Sequence, residues 1–466
     1  MKKLDYRIEK DSLGEVKVPR NRYYGAQTER ARENFPIGKE KIPKEIINAY
    51  AVIKKSAAAA NHDLGLLDKS KRDYIIKAAE EILAGALDDN FPLAVWQTGS
   101  GTQTNMNVNE VISNRISELA GEEIGSKKPV HPNDHVNMSQ SSNDTFPTAM
   151  SLASVLKTEE KLLPVLENLI SVLNKKADEF KDIVKVGRTH LMDATPIKLG
   201  QEFAAFEAQA EQSLEVIKDA VKYIKYIPIG GTAVGTGLNT KANFDKTIIK
   251  HINKETGLEF KPMNSKSAGI AAHDSFVNLS GALKTFASFL MKLGNDIRWL
   301  SSGPRCGIGE IKIPKNEPGS SIMPGKVNPT QAEALVQVAV QVMANDTAVN
   351  IGGGSGNFQL NVCKPLIIYN ILQSITLLVD AVDSFTTRCL GGIAADNEKI
   401  ENYLDQSLML VTALNPVLGY DRAAEIAGKA YRENMTLKNA AVSLGYLTEE
   451  EFDSYIDPEK MTEPNL

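Results

Sequence analysis

Cysteine is nearly absent from this chain. There are three, Cys306, Cys363 and Cys389, far apart and never in CxxC spacing. That excludes a disulfide framework and a cysteine-based metal site, and it favours a reducing compartment. Histidine is scarce as well: six scattered residues with no HExxH pair. No Lys/Arg tract stands out and the formal net charge is −5, which argues against a nucleic-acid partner. The longest apolar runs are broken by charged or polar residues, so none reads as a membrane span. The N-terminus, Met-Lys-Lys-Leu-Asp-Tyr-Arg, has no apolar stretch and reads as no secretory signal. No fixed-period repeat and no low-complexity segment is seen. What is left is an ordinary globular composition, 42% hydrophobic and 24% charged over 466 residues. That length supports a large core in two or three structural units.

The apolar pattern is mainly helical. Residues 43–83 have helical spacing, and after Asp144 the chain turns to long apolar-rich stretches near 145–180, 196–226, 266–302, 329–349 and 363–391. Each is longer than the usual globular helix of about 11–12 residues. The stretch 268–301 has no Pro and is apolar on most faces, so it is expected between other helices. Five such elements predict a mainly α protein with a long central helical bundle. The expected division is an N-terminal domain over 1–140, the bundle over 141–392 and a small, more charged C-terminal domain over 393–466.

Four polar runs precede helical patterns. They are 98–105 (Thr-Gly-Ser-Gly-Thr-Gln-Thr-Asn), 139–144 (Ser-Gln-Ser-Ser-Asn-Asp), 187–190 (Gly-Arg-Thr-His) and 326–329 (Lys-Val-Asn-Pro). Thr195 and Asn328 read as N-caps, each with Pro at the first helical position. Any one such cluster alone is most simply a cap. Four converging on one point would offer free N–H groups and partial positive charge to a small dianion. The last run belongs to a Pro/Gly-rich segment of about 25 residues, and long structureless loops inside compact proteins are usually functional. Its core, 319–329 (Gly-Ser-Ser-Ile-Met-Pro-Gly-Lys-Val-Asn-Pro), suits a mobile loop that closes on an anion and presents a nucleophile or base. The run 98–105 lacks the Gly-Lys-Ser/Thr of a P-loop, and the glycines at 352–356 follow a helix, so neither reads as a nucleotide site. His62, His251 and His273 read as structural.

GSSxMPxKxNP resembles the signature of the fumarase/aspartase superfamily, and the resemblance runs through nearly the whole chain. Segments 96–107, 131–137 with 139–144, 187–190 with 193–196, 230–237 and 407–416 are similar, in order, to blocks of class II (iron-independent) fumarases. Aspartate ammonia-lyases generally carry Gln where this chain has His190, and their first block begins Gln-Gly-Gly-Ala-Gly rather than Gln-Thr-Gly-Ser-Gly. Met138 and Val417 depart from the fumarase pattern at positions given no catalytic role.

The resemblance implies reversible trans addition of water to fumarate, giving (S)-malate. It implies Ser320 as the base, with His190 paired to Glu333 to position the water or leaving hydroxyl. Lys326 and Asn328 would hold a substrate carboxylate, with hydrogen bonds from Ser100, Thr102, Ser141, Ser142, Asn143, Thr189 and Ser321. His131, Asn133 and Asp134 resemble a second dicarboxylate site. No metal or organic cofactor is implied. A homotetramer with sites shared between subunits and a cytoplasmic location are expected. The alternatives are aspartate ammonia-lyase, or a non-catalytic structural member of the superfamily.

Overall fold

A computed structural model describes residues 5–464 of the chain; the first four residues of the N-terminal segment read above lie outside it. Among the described residues there are seventeen α-helices, and the strands form only two-stranded sheets. The fold is mainly α, as the apolar periodicity requires. The 43–83 pattern forms two helices, Lys44–Asp63 and Lys69–Leu83, separated where Asp68 caps the second through its side chain.

The five long stretches become Ser142–Lys157 continuing into Leu163–Glu179, then Leu199–Ile224, Asp274–Leu300, Thr330–Gly353 and Lys364–Arg388. Polar contacts tie three of them together. Ser280 and Lys284 donate to Asp346 at 2.8 and 2.6 Å, and Asn345 donates to Ser374 at 3.0 Å. Asp274–Leu300 buries Phe276, Leu279, Leu283, Phe286, Leu290 and Leu293, while Lys284, Thr285, Ser288 and Lys292 form an exposed stripe. Lys364–Gly392 is long and apolar enough by length and composition to cross a bilayer, against the expectation that no run reads as a membrane span. Its most apolar window is already 56% buried within the fold, as for a core helix.

By compactness the chain forms two units. The first comprises Met1–Pro164, Glu215–Ala287 and Ala339–Val379. Its core includes Tyr50 against Phe146, ring centroids 6.2 Å apart and edge to face. The second comprises Val165–Leu214, Ser288–Val338 and Asp380–Leu466. Phe180, Phe203 and Phe206 stack edge to face in its core, and Leu414, Ile426, Ala440 and Phe452 centre a cluster near its C-terminal end.

Two expectations about helix starts are corrected. Thr195 and Pro196 do not begin a helix. They lie in a strand, Met192–Lys198, paired antiparallel with Val184–Thr189, so 187–190 is the end of a hairpin strand running into its turn. The β-branched alternation around Val184 and Val186 outweighs the local cap signal. Asn328 does not cap its helix either. The helix begins at Thr330, with the Pro329 carbonyl accepting from Glu333 N, while the Asn328 amide turns back into the preceding loop.

Candidate active site

In the first unit, two polar runs open helices as expected. Gly101 precedes the Thr102–Leu119 helix at φ +77°, and a Cβ there would lie 1.9 Å from the Phe146 ring, so only glycine fits. This turn lines up three hydroxyls. Ser100 Oγ is 2.8 Å from Thr102 Oγ1, which is 2.7 Å from Ser142 Oγ. Ser141 caps the Ser142–Lys157 helix in a capping box with Asp144. Asn143 donates to the Ala233 carbonyl at 2.8 Å. Asp144 is fully buried and accepts backbone N–H groups from Ser141, Gly230 and Thr232, each at 2.9 Å. Burial raises its pKa to about 6, against those hydrogen bonds.

His131, Asn133 and Asp134 share one turn in the same unit. His131 Nδ1 accepts the N–H groups of Asn133 and Asp134 at 3.2 Å each and lies 3.3 Å from the Asp134 carboxylate. His131 and Asn133 line a cavity of about 390 Å³ together with Glu110 and Lys127.

In the second unit, Thr189 and His190 occupy the exposed hairpin tip. His190 (φ 56°) and Leu191 (φ 60°) are both left-handed, the geometry of a two-residue hairpin turn that matches strand twist. A buried charge cluster anchors this hairpin. Arg188 Nη1 donates to Glu310 Oε1, Lys185 Nζ lies 3.1 Å from Glu310 Oε2 and 3.3 Å from Glu202, and Glu310 is 0% exposed. The sequence reading missed Lys185, Glu202 and Glu310; nothing local marks them as partners.

The 319–329 loop, also in the second unit, is closed by its own hydrogen bonds. Gly319 N donates to Lys326 O at 2.8 Å, and Asn328 Nδ2 to Gly319 O at 2.6 Å. Lys326 Nζ donates to Asn328 Oδ1 at 2.7 Å, which puts the ammonium beside the amide. Ser320 Oγ accepts two backbone N–H groups, from Ile322 at 3.2 Å and Met323 at 3.1 Å. Two donors aimed at one hydroxyl oxygen favour its anionic form. Ser321 is exposed beside it, and Ile322 at the tip is 82% exposed. Glu333 sits in the first turn of the next helix. Among the described residues of a single chain no hydrogen bond joins it to His190.

Of the histidines read as structural, His62 bonds the Leu67 carbonyl and His251 the Asp63 carboxylate. His273 is buried, and its Nε2 has no hydrogen-bond partner among the described residues.

A long-helix fold carrying hydroxyl-rich helix starts and a serine-bearing loop is the architecture of the fumarase/aspartase lyases. The family described as "Lyase" matches residues 14–344, and "Fumarase C C-terminus" matches 410–463. The chain is 59% identical over 457 residues to fumarate hydratase class II of Thermosynechococcus vestitus, covering 98% of each. It is 56% identical over 464 residues to fumarate hydratase class II of Thermus thermophilus, covering 99% of each. The crystal structure of class II fumarase from Schistosoma mansoni superposes with a TM-score of 0.96 at 45% identity, over 98% of this chain and 99% of that one. The chain belongs to the class II fumarate hydratase family.

Proposed function

We propose that this chain catalyses the reversible trans addition of water to fumarate, giving (S)-malate, with Ser320 as the base. The observation that carries the reading is the pair of backbone N–H groups on Ser320 Oγ. A serine hydroxyl is a poor base at neutral pH, and such donors stabilise the alkoxide that must form. In the elimination direction Ser320 removes the C3 proton of malate. The electron pair passes into the adjacent carboxylate, giving an aci-carboxylate dianion. Collapse of that dianion expels the C2 hydroxyl, which leaves as water once protonated. His190, oriented by Glu333, positions and protonates the leaving hydroxyl.

Lys326 and Asn328 bind the carboxylate that gains charge, because a cation and an amide N–H strengthen their hold as negative charge develops. Ser100, Thr102, Ser141, Ser142, Asn143, Thr189 and Ser321 supply the remaining hydrogen bonds. His131, Asn133 and Asp134 form a second dicarboxylate site.

We further propose a homotetramer acting in the cytoplasm, with one site drawn from three subunits. The long helices leave Val216, Tyr223, Trp299, Val340 and Ile351 exposed on a single chain, and neighbours would cover them. Division of the chain at 140 and 392 remains our proposal for its domains. The decisive experiment follows fumarate absorbance with purified protein. Loss of absorbance with formation of (S)-malate is expected. Release of ammonia from aspartate without malate turnover would reassign the chain as an ammonia-lyase, and inertness toward both would leave a structural role.

A further inference from the structure

Three charged side chains in the first unit, Lys54, Asp144 and Lys364, are each 0% exposed. Two of them are satisfied. Lys54 donates its three N–H groups to the side-chain oxygens of Asn105, Asn137 and Gln140, at 2.8, 3.0 and 2.9 Å. Asp144 accepts three backbone N–H groups. Lys364 is different: its ammonium has three donors and no hydrogen-bond partner among the described residues. His273 cannot serve as a counter-ion. Burial and the Lys364 charge hold its pKa down to about 3, so its ring is neutral. Two buried ammonium groups therefore face one buried carboxylate.

A buried ammonium without a partner costs several kcal/mol. Such an arrangement is kept where a ligand supplies the missing charge. The place of Lys364 in the fold indicates which ligand. It is the first residue of the Lys364–Arg388 helix, and its backbone N donates to the Gly99 carbonyl at 3.3 Å. Gly99 itself lies backbone to backbone on Val362, where a Cβ would stand 1.3 Å from the Val362 carbonyl oxygen. The start of this helix is thus packed onto the loop that carries Ser100 and, through it, the Ser100–Thr102–Ser142 hydroxyl row.

We propose that Lys364, which opens a helix packed onto the loop that carries this hydroxyl row, is a further recognition residue whose buried ammonium supplies the countercharge for one carboxylate of a bound dicarboxylate. The inference rests on the fumarate hydratase reading for the identity of the ligand. Hydroxyls alone recognise a carboxylate by shape and hydrogen bonds; a fixed charge behind them adds selection for the anion. Burial lowers the Lys364 pKa to about 7 while Asp144 pulls it upward, as expected for a cation with too little negative charge nearby.

The competing role is purely structural, with Lys364 serving only to balance Asp144. Four variants separate the two: Lys364→Met, Lys364→Arg, Asp144→Asn and the double variant Lys364→Met/Asp144→Asn. Binding of succinate, which cannot react, is measured by calorimetry on the full-length protein at low ionic strength, alongside the thermal midpoint. Loss of a charge-assisted contact predicts succinate binding weaker by about 10-fold or more in Lys364→Met. Lys364→Arg should keep part of the affinity. The double variant removes one charge of each sign, so it should recover thermal stability without recovering affinity. Unchanged succinate affinity in Lys364→Met, or a double variant restored in both properties, would overturn the proposal. If Lys364→Met does not fold, the double variant and Lys364→Arg decide the question by the same measurements. A wild-type protein that binds succinate without hydrating fumarate would sink the reading of the reaction and leave the Lys364 comparison standing. A wild-type protein that binds no dicarboxylate would sink both.

Discussion

Arg188 donates to Glu310 at 2.9 Å, and Glu310 has no exposed surface. Arg188 stands directly before Thr189 and His190, so this contact fixes the base of the turn that presents them. Lys185 shares the same carboxylate from a second position on the strand. Removing the charge of Glu310 leaves the buried Lys185 and the half-buried Arg188 without the carboxylate they share. Glu310→Gln is therefore expected to destabilise the protein by roughly 3 kcal/mol. It should also lower kcat, because the hairpin loses its anchor. Urea unfolding and steady-state rates check both. An unchanged denaturation midpoint and an unchanged kcat would show that the cluster does not hold the turn.

Ser320→Ala should lower kcat by roughly 10²–10⁴-fold, the usual contribution of a positioned general base. The thermal midpoint should stay put, since among the described residues the side chain bonds only to amides of its own exposed loop. Lys326→Met removes the cation proposed to hold the substrate carboxylate and should raise KM by about 10-fold as well as lower kcat. A Ser320→Ala enzyme with near-normal kcat would mean that another group takes the proton.

Much of this architecture is legible along the chain because it is set by near neighbours. The Ser141/Asp144 capping box is a local pattern, and its helix forms where the pattern says. The long helices follow apolar spacing for the same reason. The failures come from partners that a helix-start rule does not count, some in a neighbouring strand or the same loop and others far away in sequence. Thr195-Pro196 is a sound local helix start, yet the strand 184–189 pairs with it and Val186 sits opposite Pro196. Asn328 reads as a cap, yet Gly319 and Lys326 claim its amide. Lys54 and Lys364 look like ordinary surface lysines in sequence. Their burial depends on packing against residues tens or hundreds of positions distant, which no local rule reports.

His190→Asn tests the hairpin residue without disturbing its backbone. His190 has φ 56°, a region that asparagine tolerates well, so the turn should persist. A strong fall in kcat with unchanged stability is expected. Glu333→Gln should act in the same direction. A carboxylate on one imidazole nitrogen raises the basicity of the other, so replacing it with an amide should move the pH–rate profile. Identical profiles for wild type and Glu333→Gln would rule out the pairing.

Asp144 makes a signed prediction about pH. Its carboxyl titrates near 6 in the folded chain, above the ordinary value of 3.8. Between those two values the folded protein holds a proton that the unfolded chain has released. The associated stability is thus complete below about 3.8 and is lost as pH rises through about 6. Asp144→Asn cannot titrate. The difference in urea midpoint between wild type and Asp144→Asn should therefore change steadily from pH 4 to pH 6.5, with wild type losing ground as pH rises. A constant difference across that range would place the titration of Asp144 elsewhere.

Subunit sharing has the sharpest test. The exposed apolar residues Val216, Tyr223, Trp299, Val340 and Ile351 all lie on the long helices, so the surfaces proposed to bring chains together lie on elements that carry or adjoin the polar segments. In the proposed tetramer, Ser320 and His190 of one site come from different chains. Ser320→Ala and His190→Asn proteins should each be nearly inactive alone. When equal amounts are unfolded together and refolded, a site is intact only if its Ser320 comes from the His190 variant and its His190 from the Ser320 variant. Random assembly makes that true for roughly one site in four. Mixed tetramers should accordingly recover roughly a quarter of wild-type activity, measured against wild type taken through the same refolding. Each variant refolded alone supplies the baseline. Efficient return to tetramers with activity still at that baseline would mean that both residues of a site belong to one chain, and the shared-site arrangement would have to be abandoned.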